Sequence, residues 1–209
     1  MSKYIWLLDA GHGGMKDGKY TTAPAKMHVF EDGLTFYEGV NNRAIVSKLV
    51  GLLDNAGIEY TLVFDPQLDT PLKDRVSIAN RLYKEQKLPV YLSIHSDAMP
   101  DGAHGKGSGF SVFTSKGQTR SDRVAEVFCK TYQSELPQFK FRKDLADGDT
   151  DKEENFYVLR KTHGPALLVE NLFFDNRKEA EFLLSEVGQG KIALTLFKSI
   201  QATENKKPI

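Results

Sequence analysis

Three short apolar runs along the chain end in residues that carry chemistry. Ile5-Trp6-Leu7-Leu8 has strand length and stops in Asp9-Ala10-Gly11-His12-Gly13-Gly14, a glycine-rich turn that presents an imidazole. Leu88-Pro89-Val90-Tyr91-Leu92-Ser93-Ile94 repeats the design, with Pro89 bounding it and His95-Ser96-Asp97 following. The third run, Ala166-Leu167-Leu168-Val169, delivers the carboxylate of Glu170 and then Asn171.

Helical spacing fills the intervals. Val40, Ala44, Ile45, Leu49, Leu52 and Leu53 predict a helix from near Glu38 to Asn55, ended by Ala56-Gly57. A strand over 58–63 and a helix from about Pro71 through Val76, Ala79, Leu82 and Tyr83 come next. Phe110 to Thr114 alternates apolar and polar residues, which predicts a strand less buried than its neighbours. Val124, Val127, Phe128, Tyr132 and Leu136 mark a helix over 120–136, Phe156 to Arg160 resumes order, and a last helix spans about Arg177 to Ile200. Strands alternating with helices predict a three-layer α/β/α domain with a mostly parallel central sheet. One domain is expected over residues 1–200, with 201–209 a flexible tail.

Three segments fall outside the periodic pattern. Residues 15–37 form a polar, glycine-containing connection longer than most α/β loops, which suggests a wall of a cleft. Residues 97–108 form a polar loop that includes His104. The acidic stretch 144–154 invites an EF-hand calcium reading, but it lacks the sixth-position glycine, the terminal glutamate and the flanking helices; a solvated loop is expected.

Composition narrows the function classes. The chain has 209 residues, 40% hydrophobic and 27% charged, with a formal net charge of zero, so nucleic-acid binding has no electrostatic support. A single cysteine, Cys129, excludes an internal disulfide framework and a cysteine-rich zinc site. No secretory signal peptide is seen, and no apolar run approaches the ~20 residues of a membrane span. The expectation is a monomer made in the cytoplasm, without a transmembrane segment.

Strands that end in histidines bring both imidazoles to one edge of a parallel sheet, where open α/β sheets bind ligands. His12 and His95 supply two metal ligands, and catalytic zinc takes three protein ligands of N or O type. A third comes from Glu31, Asp32, Glu38 or Glu170. Glu38 is favoured, because it opens a helix with Asn42 one turn further on the same face as support. Glu170, delivered by an apolar run, suits a desolvated general base and acid. Asp9 and Ser96, in the two histidine turns, are further candidates for support or substrate contact. His28, His104 and His163 stand in polar contexts and are expected to be solvated, with His163 close in sequence to the Glu170 strand.

Asp9-Ala10-Gly11-His12-Gly13-Gly14, Glu38 with Asn42, Ser93-Ile94-His95-Ser96-Asp97-Ala98 and Val169-Glu170 resemble the zinc-dependent N-acetylmuramoyl-L-alanine amidases of the Amidase_3 type. Phe156-Tyr157-Val158-Leu159-Arg160 and Asn171-Leu172-Phe173-Phe174-Asp175-Asn176 extend the likeness over nearly the whole chain. The resemblance implies a phosphorylase/hydrolase-like fold, one Zn2+ on His12, Glu38 and His95, and Glu170 as the catalytic carboxylate. It implies hydrolysis of the amide between N-acetylmuramic acid and the L-alanine of the stem peptide, with peptidoglycan or muropeptides as partner. Leu172 stands where the family usually has glycine, Asn171 where it has a small or hydroxyl residue, and Asp97 where asparagine is frequent; these departures bear on substrate preference. A zinc peptidase acting within the stem peptide and a non-catalytic peptidoglycan-binding protein are the alternatives. Action on the cell wall without an export signal points to a phage or prophage endolysin, or to a trimmed bacterial wall enzyme.

Overall fold

The computed structural model describes residues 2–85, 87–100, 103–146 and 148–206. In chain order the elements are β1 (Ile5–Ala10), β2 (Met15–Lys16), β3 (Lys19–Tyr20), β4 (Met27–Val29), β5 (Thr35–Tyr37), α1 (Glu38–Ala56), β6 (Tyr60–Leu62), α2 (Leu72–Lys84), β7 (Pro89–Asp97), β8 (Ser111–Thr114), α3 (Arg120–Glu135), β9 (Lys152–Glu153), α4 (Tyr157–Lys161), β10 (Ala166–Phe173), α5 (Arg177–Leu184) and α6 (Glu186–Glu204). The central sheet runs β6-β1-β7-β10-β8-β9 and is parallel throughout except where β10 meets β8. The mostly parallel, helix-flanked architecture read from the sequence is therefore present.

Side-chain alternation along the strands divides the interior into two cores. Trp6, Leu8, Val90, Leu92, Ile94, Leu167 and Val169 pack with Ile45 and Leu49 of α1, Phe128 and Tyr132 of α3, and Ile192 and Leu196 of α6. Leu7, Tyr91, Ala166 and Leu168 turn the other way, onto Val76, Ala79 and Leu82 of α2 and Val158 and Leu159 of α4. The same alternation sends Asp9, Ser93, His95 and Glu170 to this second face. Among the described residues the helices packed against it are α2 and the five-residue α4, and a cleft remains near the carboxyl ends of the central strands.

Several expectations need correction. The long 15–37 connection holds two small antiparallel ribbons, β2-β3 and β4-β5, that the sequence pattern did not predict. All four residues of β8 are buried, because β10 pairs on one side and β9 on the other. The acidic stretch supplies β9 and a 1% exposed Asp151, whose carboxylate accepts from the Thr114 hydroxyl at 2.7 Å, so this part is not a solvated loop; Asp147 lies outside the described residues. The last helix is split at Ser185, whose hydroxyl accepts from the Gly188 N–H at 2.9 Å and starts a new helix.

The tail expected from residue 201 differs most. α6 continues to Glu204, whose carboxylate accepts from the Ser2 hydroxyl at 3.1 Å, the Lys3 N–H at 2.7 Å and the Trp6 indole at 2.9 Å. Residues 207–209 lie outside the described residues. Trp6 is fully buried, so its indole N–H has no recourse to water once Glu204 is lost. Glu204→Ala is expected to cost roughly 1–3 kcal/mol, the penalty for a buried unsatisfied donor, seen as a lower midpoint in urea unfolding. An unchanged midpoint would show that α6 does not hold the amino terminus.

Candidate functional site

β1 ends at Ala10, and His12 follows with φ 65°, in the left-handed region. Gly11 makes this turn possible: a Cβ there would lie 2.1 Å from the His95 ring. His95 comes from β7, and the two imidazoles stand nearly perpendicular at 88°, with centroids 4.9 Å apart. Glu38 is the first residue of α1, fixed by its own N–H donating to the Lys26 carbonyl at 3.0 Å. Gly39 lets that first turn approach the histidine loop, since a Cβ there would lie 2.0 Å from the Gly13 carbonyl oxygen.

The Glu38 carboxylate bridges the two rings. Its Oε1 is 3.0 Å from His95 Nδ1 and its Oε2 is 3.2 Å from His12 Nε2. One ligand atom from each of His12, Glu38 and His95 falls within 4.8 Å of the others, the one such group of three metal-ligating side chains among the described residues. Ligands at 2.0–2.2 Å around one tetrahedral ion lie roughly 3–3.5 Å apart, the spacing seen between Glu38 and each imidazole. His12 Nε2 and Glu38 Oε2 are buried and make no hydrogen bond despite their proximity, as unshared ligand atoms would. The donor set and geometry fit a divalent ion of the zinc type.

Charge in the cleft follows from burial. Burial works against ionisation of Glu38, but His12 and His95 outweigh it and hold this carboxyl well below the usual range. Burial likewise disfavours a charged His95, and the Glu38 hydrogen bond and charge reverse that, raising its pKa. Glu170, in register with His95 across β10 and β7, is pushed up to about 8, first by burial, against the pull of His95 and with the help of Glu38 and Asp97. Its Oε2 is buried without a hydrogen-bond partner. His12, His95 and Glu170 line one cleft together with Lys26, Asp69, Leu72, Phe156 and Tyr157.

The family model for N-acetylmuramoyl-L-alanine amidases of the Amidase_3 type matches residues 7–202. The chain belongs to this family. It is 29% identical over 203 residues to the endolysin of Bacillus phage SPP1, covering 91% of this chain and 64% of that one, so it spans somewhat under two thirds of that relative. It is 26% identical to the Escherichia coli N-acetylmuramoyl-L-alanine amidase AmiA, covering 95% of this chain and 75% of the relative. Among solved structures, the Clostridium difficile amidase aligns with TM-score 0.77 at 24% identity over 100% of both chains. The Nostoc punctiforme amidase aligns with TM-score 0.75 at 24% identity over 96% of each.

Within this amidase fold the remaining sequence candidates sort by position. Asp9 lines the buried base of the cleft: its carboxylate accepts from the Tyr91 hydroxyl at 2.8 Å, the Ser93 hydroxyl at 2.7 Å and the Arg75 guanidinium. Asn42 donates to the Gly11 carbonyl at 3.3 Å, supporting the histidine turn. Ser96 contributes its backbone N–H to Glu38 Oε1 at 3.3 Å, while its hydroxyl is buried elsewhere without a hydrogen-bond partner. Glu31 and Asp32 are not in the triad; they line a separate groove, where Asp32 meets Arg177 at 2.7 Å. His28 and His104 line that groove too; His104 is exposed, as expected, with its Nδ1 3.2 Å from Asp175 Oδ2, whereas His28 is half-buried against Phe30. His163 packs its ring edge-on against Tyr83 of α2.

Two arginines were missed by the sequence reading. Arg75 is 1% exposed and donates to the carbonyls of Ala10 at 2.9 Å and His12 at 3.1 Å and to Asp69 at 3.1 Å. Arg43 donates to the carbonyls of His12 and Gly39, each at 2.9 Å. Arg75, Ala79 and Leu82 share one helical face, so an arginine inside an apolar stripe was the available signal. Leu172, where the family usually has glycine, adopts φ 65° in a β-bulge between Glu170 and Phe173.

Arg75→Ala leaves Asp9 a buried unpaired charge, and a loss of roughly 3–5 kcal/mol is expected, read from denaturant midpoints; a loss below a tenth of that would remove the pair from the fold's supports. A second measurement addresses Glu170. Its raised pKa means that the folded, metal-free protein keeps a proton the unfolded chain releases near the ordinary 4.5. The stability from this group is full below that pH and disappears as pH rises toward about 8. Glu170→Gln should flatten the pH dependence of unfolding across this window, and an unaltered profile would contradict the desolvated carboxyl.

Proposed function

We propose that the protein is a zinc-dependent N-acetylmuramoyl-L-alanine amidase that hydrolyses the amide between N-acetylmuramic acid and the L-alanine of the stem peptide. The observation that carries the reading is the convergence of His12, Glu38 and His95 within 4.8 Å beside the buried Glu170, in a chain matched by the amidase family model over 7–202.

His12, Glu38 and His95 would hold one zinc ion. Zinc, when bound, supplies Lewis acidity toward the scissile carbonyl and toward water. Glu38 keeps its charge in the buried site because both imidazoles favour it, so it serves as an anionic ligand rather than a proton carrier. Glu170 is the proton carrier: its carboxylate takes the proton of the attacking water and returns it to the alanine nitrogen as the C–N bond breaks. Asp9, Arg75, Arg43 and Asn42 act indirectly, holding the backbone that carries His12 and its glycines in place. Peptidoglycan is the substrate class, and a lysis enzyme of phage or prophage origin is the favoured setting on the strength of the endolysin relative. No helix among the described residues is long and apolar enough to cross a membrane.

Zinc-loaded protein incubated with sacculi is expected to release peptides with a new L-alanine amino terminus, identified by mass spectrometry. Glu170→Gln should retain one zinc per chain by metal assay and lose turnover by about 10²–10⁴-fold, whereas His12→Ala and His95→Ala should lose the metal. A new amino terminus at another stem residue would replace this reading with a peptidase, and muropeptide binding without cleavage would make it a binding protein.

A further inference from the structure

Two cations line the cleft around the triad, and they are in different situations. Arg75 is buried and fully engaged by carboxylates and carbonyls. Lys26 is exposed, and its ammonium has no hydrogen-bond or salt-bridge partner among the described residues, although its charge reaches Glu170 and favours the ionised carboxylate. Its backbone, in contrast, is tightly determined. Lys26 takes φ 58°, a left-handed conformation costly for a side chain with a Cβ, on the strand-entry side of β4. Its carbonyl accepts from the Glu38 N–H at 3.0 Å and from the Tyr20 hydroxyl at 3.2 Å, and that same Tyr20 oxygen accepts from the Gly39 N–H at 3.0 Å. The amino terminus of α1, which supplies Glu38, thus also anchors the one uncommitted cation of the cleft.

The substrate of the proposed reaction carries a matching group. Beyond the scissile amide come L-alanine and then a D-glutamate joined through its γ-carboxyl, which leaves its α-carboxyl free or amidated. Two extended residues span at most about 7 Å, a distance comparable to the reach of an extended lysine side chain. We propose that Lys26 is a specificity-determining residue that binds the free α-carboxylate of the second stem-peptide residue. The assignment rests on the amidase reading above and adds a substrate preference to it: stems with free glutamate over stems with isoglutamine. An ammonium opposite a carboxylate gains a charge-assisted hydrogen bond that the neutral amide does not match. The discrimination expected is roughly ten- to a hundredfold.

The test compares N-acetylmuramoyl-L-alanyl-D-isoglutamate with its isoglutamine counterpart as substrates of the zinc-loaded enzyme. The ratio of kcat/KM should favour the free acid in the wild type, fall to near one in Lys26→Met and invert in Lys26→Glu, with the change residing in KM. Methionine keeps both the Cβ and the backbone demand of lysine, so it removes charge without altering the strain, and thermal unfolding of each variant verifies the fold. The same two ligands titrated into Glu170→Gln protein, with and without Lys26→Met, read the preference without turnover. Equal handling of both ligands by the wild type, or a preference retained in Lys26→Met, overturns the Lys26 assignment and leaves the amidase reading intact. Wild-type enzyme that cleaves neither ligand nor sacculi overturns the amidase reading; the titration then decides Lys26 by itself.

Discussion

One buried carboxylate held between two imidazoles governs this structure. Glu38 is 1% exposed, and an isolated charge there would carry a large desolvation cost. It is tolerable because His12 and His95 each approach one of its oxygens, and a divalent ion would complete the compensation. Bringing these three together dictates local conformations far apart in the chain. β1 must be followed by glycine so that His95 can lie over Gly11, and α1 must start with a residue followed by glycine so that its first turn reaches the same loop. The cleft is thus a meeting point of backbone approaches as much as of side chains.

The buried Asp9–Arg75 pair plays the complementary part on the far side of the histidine turn. Asp9 interrupts an apolar strand and Arg75 interrupts an apolar helix face, so neither belongs to the core by pattern. Each is satisfied by the other, by two hydroxyls and by carbonyls of the His12 loop. Ion pairs of this kind add little net stability over an apolar replacement, yet losing one partner is costly. Their use here is to lock the path of a glycine-rich loop that has little intrinsic preference of its own.

The strands, the two histidine turns and the position of Glu170 were legible because each is a local event: an apolar run that stops at a polar residue. The choice of Glu38 from four acids was less so, since nothing in the periodicity of 15–37 says where that segment goes; the β4-β5 ribbon returns it to the cleft. Asp9 and Arg75 are 66 residues apart, and only the fold makes them neighbours. β8 read as half-exposed because its cover, β9, comes from an acidic stretch with no strand pattern. Lys26 has no pattern at all; a lysine in a left-handed conformation is set by what its carbonyl must accept. The split at Ser185 was visible in principle, as a serine followed by Glu186, but continuous apolar spacing across it concealed the break.

The bonds from Ser2, Lys3 and Trp6 to Glu204 have a geometric corollary. The first and last described residues come together beside the beginning of β1, and Lys3 Nζ also reaches the Lys206 carbonyl at 2.7 Å. The cleft sits at the opposite pole, beyond the strands' carboxyl ends. A module fused near Ser2 or Lys206 would therefore hang from the back of the domain, away from the cleft.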